Sequence, residues 1–510
     1  MKQLIAILLA VVFTVGLTGT ASAQDAATQA KIDALQAQLD AVKAQLDALK
    51  AAQLAKPAPA ASPQGRPVTV TGNNVTLMIG NEPVQIYGNL DLSFDDTTKG
   101  LQKFYPQGGS PVGNVGYLAA VSTNLSYIGV RGVHKLGPLS GLVYQLETQI
   151  DVSSTSGTVN SNNNSDSVVK GGLTSRNSYI GIQNKAGSFK IGKTDAPYKN
   201  STARMNPFSG ELGDYSVIMG NSGGDNRVEF GTRFDHALWY ESPQMGKVTF
   251  SFLAAPGQNR SYDDGNISAG ESDCAGGNSP GSGALPPECN DGAFGAAWST
   301  ALVYDNGPVY LTGAYELHKN VNRTSDLADL NPADTVDEQA WKVGGQFRIS
   351  RATTLDAIYE NLTRFDPPFL QYQNERTRNG FWLAMTQRLT MRSDINFGWA
   401  RANPTPGDPG QHNTPGGANP DNMANMYTIA YKHMIDRHLS WYTDWAMTLN
   451  HPAAHFDLGA GGRGVTTDCH DATPLSAFDA TNPTLLSYTG PHCFAGGHLE
   501  GFSAGLKVTF

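Results

Sequence analysis

Between residues 226 and 241 the chain alternates so that Val228, Phe230, Phe234, Leu238 and Tyr240 share one face of an extended strand, while Arg227, Glu229, Arg233 and Asp235 share the other. A face carrying charges of both signs is costly to turn toward lipid, so it is expected to line water. Groups placed there can order ions and dipoles through their field, and no covalent step is asked of them. No Ser/His/Asp grouping with the makings of a nucleophile and its base stands out, and no catalytic residue is expected. His451, His455, His470 and His492 fall in one stretch and could ligate a metal, but solvated loop histidines are the simpler reading, so neither metal nor cofactor is expected. Cys274 and Cys289 share one Gly/Pro-rich stretch, and Cys469 and Cys493 share another. In an exported chain these predict two loop-closing disulfides, with other pairings open, each stabilising by roughly 3 kcal/mol in the chain-entropy model. Neither stretch has the Cys-x-x-Cys-His needed to attach haem.

Export itself is written at the start. Residues 1 to 23 carry Lys2, an apolar run from Leu4 to Val15, then Ala21-Ser22-Ala23, the small-x-small form of a cleaved secretory leader. No later stretch reaches the roughly eighteen apolar residues of a spanning helix, which excludes a helical membrane protein. A mean hydropathy of −0.31 does not exclude a membrane barrel, whose lipid face occupies only alternate residues. Removing the leader takes away one cation and moves the formal net charge from −9 to −10, an acidity that argues against nucleic acid as a partner.

Residues 24 to 56 hold Ile32, Leu35, Leu39, Val42, Leu46 and Leu49 at alternating spacings of three and four, the seam of a coiled coil. A lone helix this short is marginal in water, so self-association through the seam is the natural way to keep it folded, with an amphipathic helix lying on the barrel as the alternative. Lys56-Pro57-Ala58-Pro59 ends it, and residues 57 to 83 read as a Pro-rich spacer and a pre-barrel segment.

From residue 84 to 510 the chain divides into sixteen alternating segments, at 84–94, 122–134, 141–151, 176–184, 188–194, 226–241, 247–256, 295–304, 308–318, 338–349, 353–364, 378–388, 393–402, 423–434, 439–450 and 498–510. In the first, Val84, Ile86, Leu90, Leu92 and Phe94 oppose Gln85, Tyr87, Asn89, Asp91 and Ser93; in the last, Phe502, Ala504, Leu506, Val508 and Phe510 share a face. Within the fourth, adjacent Tyr179 and Ile180 leave the side of Arg176 open unless a bulge intervenes. The connections after even-numbered segments are short and those after odd-numbered ones long, up to the stretch from His451 to Pro491. A sheet trimmed at one end and elaborated at the other predicts an all-β, sixteen-stranded antiparallel transmembrane barrel with short periplasmic turns and long external loops. Both chain ends of the barrel then lie on the short-turn side, which hangs the short N-terminal α-helical coiled coil in the periplasm. Its expected lumen faces hold Asp91, Glu147, Asp394 and Asp444 with Lys342, Arg348, Arg388 and Lys432, and the signs do not decide between anions and cations.

Over residues 84 to 510 the chain resembles the trimeric, sixteen-stranded porins of Gram-negative outer membranes, general and substrate-selective. The resemblance is carried by Ser126 to Gly132, Leu142 to Glu147, Arg176 to Lys193 and the terminal Phe510, which is similar to the family's barrel-assembly signal. The N-terminal coiled coil is reminiscent of substrate-selective members with a periplasmic helical stalk. The resemblance implies that the third long loop, here about 195–225, folds into the barrel and sets acids opposite a basic cluster. Glu211 and Asp214 match the acids, and Arg176 and Arg227 match two of the family's arginines; Tyr127 stands where the family has another, so Arg204, Arg131 or Arg233 would make up the difference. It implies a homotrimer in outer-membrane lipid and lipopolysaccharide that passes small hydrophilic solutes passively, with the stalk near peptidoglycan. The alternatives are a selective channel for anions or organic acids and a structural or adhesive surface barrel; no enzymatic role is expected.

Overall fold

The computed structural model divides the chain into two units, Met1–Arg66 and Pro67–Phe510. It describes residues 68–71, 74–79, 82–99, 116–150, 152–153, 176–220, 230–231, 233–256, 295–322, 335–374, 376–407, 421–451, 454, 456, 458–459 and 498–510. The leader, the coiled-coil seam from Ile32 to Leu49, Arg227, Glu229, the four cysteines and His455, His470 and His492 lie outside the described residues.

Among the described residues, nineteen strands form one antiparallel sheet. They are β1 (Val68–Thr71), β2 (Asn74–Ile79), β3 (Glu82–Lys99), β4 (Gly116–Thr123), β5 (Tyr127–Gly137), β6 (Ser140–Gln149), β7 (Ser178–Asn184), β8 (Gly187–Asp195), β9 (Arg233–Glu241) and β10 (Val248–Pro256). The second half holds β11 (Ala296–Asp305), β12 (Val309–Asn322), β13 (Thr335–Arg348), β14 (Thr353–Arg364), β15 (Arg378–Arg388), β16 (Ser393–Ala402), β17 (Ala424–Met434), β18 (Leu439–Asn450) and β19 (His498–Thr509).

Neighbours in sequence pair in order from β5 to β19, and β19 pairs with β3 (Leu506↔Leu92, Ser503↔Asp95), which closes the sheet on itself. Because β4 and β5 both pair with β3, they form one stave interrupted at Asn124–Ser126, so the closed barrel has sixteen staves, as the segment count predicts. The interruption was not foreseen: Leu125 adopts φ 48°, while Asn124 Nδ2 donates to Ser93 Oγ (2.8 Å) and Tyr442 Oη (2.9 Å), and Asp91 N donates to Ser126 Oγ (2.8 Å). The pre-barrel segment also carries an unforeseen hairpin, β1–β2, whose second strand pairs with the start of β3 (Val75↔Ile86) where β19 has already ended. Main-chain bonds between Phe510 and Gly88 (Gly88 N to Phe510 O 2.8 Å) finish the seam.

Register fixes which side chains look inward, since directly paired residues share a face. The row Asp95–Ser503–Asp444–Ala430–Asn396–Thr386 is inward, and Phe94, Phe502, Trp445, Phe397 and Met385 are outward. The faces expected for the first and last segments therefore hold. In β7, Tyr179 faces in and Ile180 out with no bulge, and Arg176 precedes the strand. The irregularity sits instead between β8 and β9, at Gly192/Thr194, where His236 takes φ 53° and the register shifts. That shift corrects the reading of the sixth segment. Phe234 is fully buried, edge-on to inward-facing His318, rather than outward with Leu238 and Tyr240, and the strand starts at Arg233 rather than 226.

Candidate pore constriction

The third long loop leaves β8 at Asp195 and turns into the barrel. Extended Ala196 followed by Pro197, whose fixed φ suits a first helical turn, starts the short helix α1 (Pro197–Thr202). Single 3-10 turns follow at Ala203–Met205 and Tyr215–Val217. Tyr198, Met205, Phe208, Leu212 and Ile218 are fully buried, each contributing roughly 1.5–3 kcal/mol relative to exposure. They pack on an inward wall that is apolar: Leu253, Ala297, Ala314, Ala340 and Leu362 under the first part, and Trp382, Ala384, Ala400, Met426 and Ala430 under the second. Phe208 meets Trp382 edge to face at 6.0 Å. Gly398 makes the room, because a Cβ there would fall 2.3 Å from Trp382 and 2.9 Å from Phe208.

Polar bonds trace the loop's path along the wall. Tyr198 N donates to Ser299 Oγ on β11 (3.0 Å), Tyr310 Oη on β12 donates to Ser201 O (2.6 Å), and Lys342 Nζ on β13 donates to Thr202 Oγ1 (2.8 Å). Tyr198 Oη and Gly220 N donate to the two carboxylate oxygens of Glu360 on β14 (2.8 and 2.7 Å). Trp382 Nε1 and Arg378 Nη2 on β15 donate to Met205 O (2.9 Å) and Ile218 O (2.7 Å), and Leu212 N donates to Asp444 Oδ2 on β18 (3.0 Å). The loop thus lines the wall from β11 to β18. Its tip at Gly210 comes up against Leu125 beside β5, where a Cβ would fall 3.3 Å from that side chain. Burial pushes the Tyr198 and Tyr215 phenols well above their ordinary range, so both remain neutral.

The two acids expected to line the opening are engaged instead. Glu211 is buried and ion-paired with Lys432 of β17, and burial pushes its carboxyl up against the pull of that ammonium. Asp214 accepts from Gly210 N (3.0 Å), Ser216 N (3.0 Å) and Asn206 Nδ2 (2.8 Å), which makes it the cap of the Tyr215–Val217 turn. Arg204 lies away from both, on Asp305 (2.6 Å) and Gln346 (3.0 Å) and over the Tyr310 ring at 4.4 Å. Arg233 holds Asn177 Oδ1 (2.8 Å) and Asp195 (3.1 Å) at the loop's root.

On the bare wall, Arg176 pairs with Glu147 (2.6 Å) and lies 4.8 Å over the Tyr127 ring. Arg131 lies 4.5 Å over the Tyr87 ring and donates to Gln85 Oε1 (2.6 Å). Tyr87 and Tyr127 meet edge-on at 6.1 Å, so two guanidinium groups and two phenol rings form one ledge. A Cβ at Gly129 would fall 2.5 Å from the Tyr87 ring, which is how that ring can lie flat on the wall. Sequence reasoning named Arg131, Arg176 and, as a lumen cation, Lys432, but missed the wall partners Trp382 and Arg378. Their signal was present in Trp382, an indole on the water-facing parity of its strand, which requires a cover.

The Gram-negative porin family model matches residues 48–451. No curated protein matches the sequence. Among solved structures, an anion-selective porin from Comamonas acidovorans aligns at 15% identity with a TM-score of 0.56, covering 84% of this chain and 100% of that one. An OmpF of Salmonella typhi, in complex with daunomycin, aligns at 12% identity with a TM-score of 0.48 over 84% of this chain and 98% of its own. The outer membrane channel DcaP of Acinetobacter baumannii does so at 12% identity and 0.47, over 84% and 97%. With a closed sixteen-stave barrel, a third loop folded inside it and a family match over most of its length, this chain belongs to the Gram-negative porins and is a passive channel of the outer membrane.

Proposed function

We propose that the channel passes small hydrophilic solutes and favours anions over cations at the gap between the third loop and the ledge on β3, β5 and β6. The observation that carries this reading is an imbalance of committed charge. Glu211 and Asp214 are tied into the loop's own seating, whereas Arg131 is exposed and, among the described residues, in no ion pair. A fixed cation beside a narrow water path raises the local anion concentration and lowers that of cations. Arg176, Arg204 and Arg233 add donors whose charge is offset by Glu147, Asp305 and Asp195. Arg227 and Glu229 belong to the same reading as further wall charges. No catalytic role is part of it.

The protomer is proposed to assemble as a homotrimer through the β3–β8 arc. All five outward tryptophans, Trp298, Trp341, Trp399, Trp441 and Trp445, lie on β11–β18, while the arc presents Val84, Ile86, Leu90, Val130, Leu146, Ile180, Ile182 and Ile191 together with Phe94, Tyr144 and Phe189. Membrane-facing staves carry aromatic girdles, and a mainly aliphatic arc without indoles suits contact with another copy. The remaining staves would face lipid and lipopolysaccharide. The chain enters β3 at the short-turn end, which supports a periplasmic coiled coil near peptidoglycan. Reversal potentials in a KCl gradient across planar bilayers test the selectivity. The parent is expected to prefer chloride and Arg131→Ala to lose most of that preference; a cation-preferring parent would refute the reading.

A further inference from the structure

A second segment enters the barrel and rests on the constriction loop. After β18 the chain turns back at His451, and Ala454, Phe456 and Leu458 are buried, at 0%, 1% and 3% exposure. Asn450 holds the segment in a pincer, its Oδ1 accepting from Phe456 N (2.9 Å) and its Nδ2 donating to Phe456 O (2.8 Å). Phe456 packs with the apolar cluster beneath the loop and lies under the Arg378 guanidinium at 4.9 Å, the group that also donates to Ile218 O. Leu458 packs with Leu212 of the tip and with Ala446 and Leu499 of the wall. Gly459 N then donates to Leu212 O (2.6 Å). The backbones are so close there that a Cβ on Gly459 would fall 2.5 Å from Asp214 N, 2.6 Å from Leu212 O and 2.8 Å from Glu211 O.

We propose that Ala454, Phe456, Leu458 and Gly459 act as a strap that positions the constriction loop, with Gly459 and Phe456 setting the size limit of the pore by fixing the tip at Glu211–Asp214. The tip's backbone meets the wall through Leu212 N, which donates to Asp444, and through Gly213, where a Cβ would fall 1.9 Å from Thr428 Oγ1, while the Glu211 side chain meets it through Lys432. The strap covers that backbone by a direct main-chain bond, which no side-chain substitution in the loop could replace. Gly459 is required because the nearest atoms around it, Asp214 N, Leu212 O and Glu211 O, are backbone and cannot swing aside.

This inference rests on the third loop being the narrowest point, and the experiment separates the two. Single-channel conductance and the largest poly(ethylene glycol) that partitions into the pore are measured for the full-length protein and three variants. Ser209→Trp adds bulk to an exposed position on the loop and reports on the constriction itself. Gly459→Ala and Phe456→Ser loosen the strap at two independent points, so a folding failure in one leaves the other informative. The expected result is a fall in conductance for Ser209→Trp, and for each strap variant a rise in conductance with loss of exclusion of the next larger polymer. If Ser209→Trp changes nothing, the constriction assignment fails. If it lowers conductance while both strap variants keep the parental size limit, the constriction stands and the strap is overturned.

Discussion

Glu211→Gln should shift the channel toward anions and remove part of its pH dependence. In the parent the Glu211 carboxylate and the Lys432 ammonium cancel, so the pair presents no net charge while Glu211 is ionised. Burial raises the Glu211 pKa above the ordinary carboxylate value, so acidification protonates it before exposed acids and leaves the pair at +1. Glutamine leaves the Lys432 charge uncancelled, so the pair stays at +1 through the window in which the parent carboxyl changes state. An ion passing at roughly 8 Å through water gains or loses about 0.5 kcal/mol from one unit charge, opposite in sign for anion and cation, which is about a fivefold change in their permeability ratio before screening. With a Debye length of about 10 Å at 0.1 M salt, the change falls to roughly twofold and grows again as salt is diluted. Reversal potentials at pH 7.5 should therefore move toward chloride in Glu211→Gln, while the parent moves the same way only as pH falls. The sign for stability agrees: a carboxyl whose folded pKa is raised is costlier to hold ionised, so this group stabilises the loop's seat more as pH drops into that window and less as pH rises through it. A variant that shifts toward potassium, or a parent whose selectivity ignores pH, would refute the reasoning.

Trp382→Ala should cost about 3–5 kcal/mol of barrel stability by leaving a cavity and orphaning Met205 O, seen as a lower unfolding midpoint in detergent together with noisier channels. Gly88→Val should reduce the yield of closed barrel, read as heat-modifiable gel migration, because a Cβ at Gly88 would fall 2.6 Å from the Phe510 ring and 2.9 Å from Tyr127 O at the seam. Gly398→Leu should displace Phe208 and destabilise by about 1–3 kcal/mol, with a conductance change that an exterior Leu383→Ala does not reproduce.

The barrel was legible in the sequence because lipid leaves its stave faces few choices. Phe502, Ala504, Leu506 and Val508 must alternate with Ser503, Gly505 and Lys507 if one side is oil and the other water, and the short-long parity of connections follows from where the two chain ends lie. Arg131 and Arg176 were legible as wall cations for the same reason. Two things were not. A bulge changes parity without changing composition, so Phe234 reads as outward until the shift at Gly192/Thr194 is known. The partners of Glu211 and Asp214 lie far off in sequence or in the backbone, at Lys432 and at the amides of Gly210 and Ser216, and residue type alone does not separate a carboxylate that lines water from one that caps a turn.

The inward face carries a further regularity that strand-by-strand reading obscures. A water-filled barrel should be polar inside, yet Leu253, Ala297, Ala314, Ala340, Leu362, Trp382, Ala400, Met426 and Ala430 all face in, and all lie on β10–β17. On the uncovered wall the inward residues are mostly polar, Gln85, Tyr87, Tyr127, Arg131, Gln145 and Glu147, with Val133 and Val143 toward the short-turn end. An apolar side chain on the wet parity of a stave is tolerable only under a cover, and small residues such as alanine leave depth for one. The band of inward Ala and Trp therefore marks the track of the inserted loop, and its polar complement marks the wall that solutes meet. Reading the wet parity for where it ceases to be polar locates the constriction from sequence without any match to the loop's own motif, and it explains why the loop's acids can be spent on fastening while the opposite wall supplies the charge.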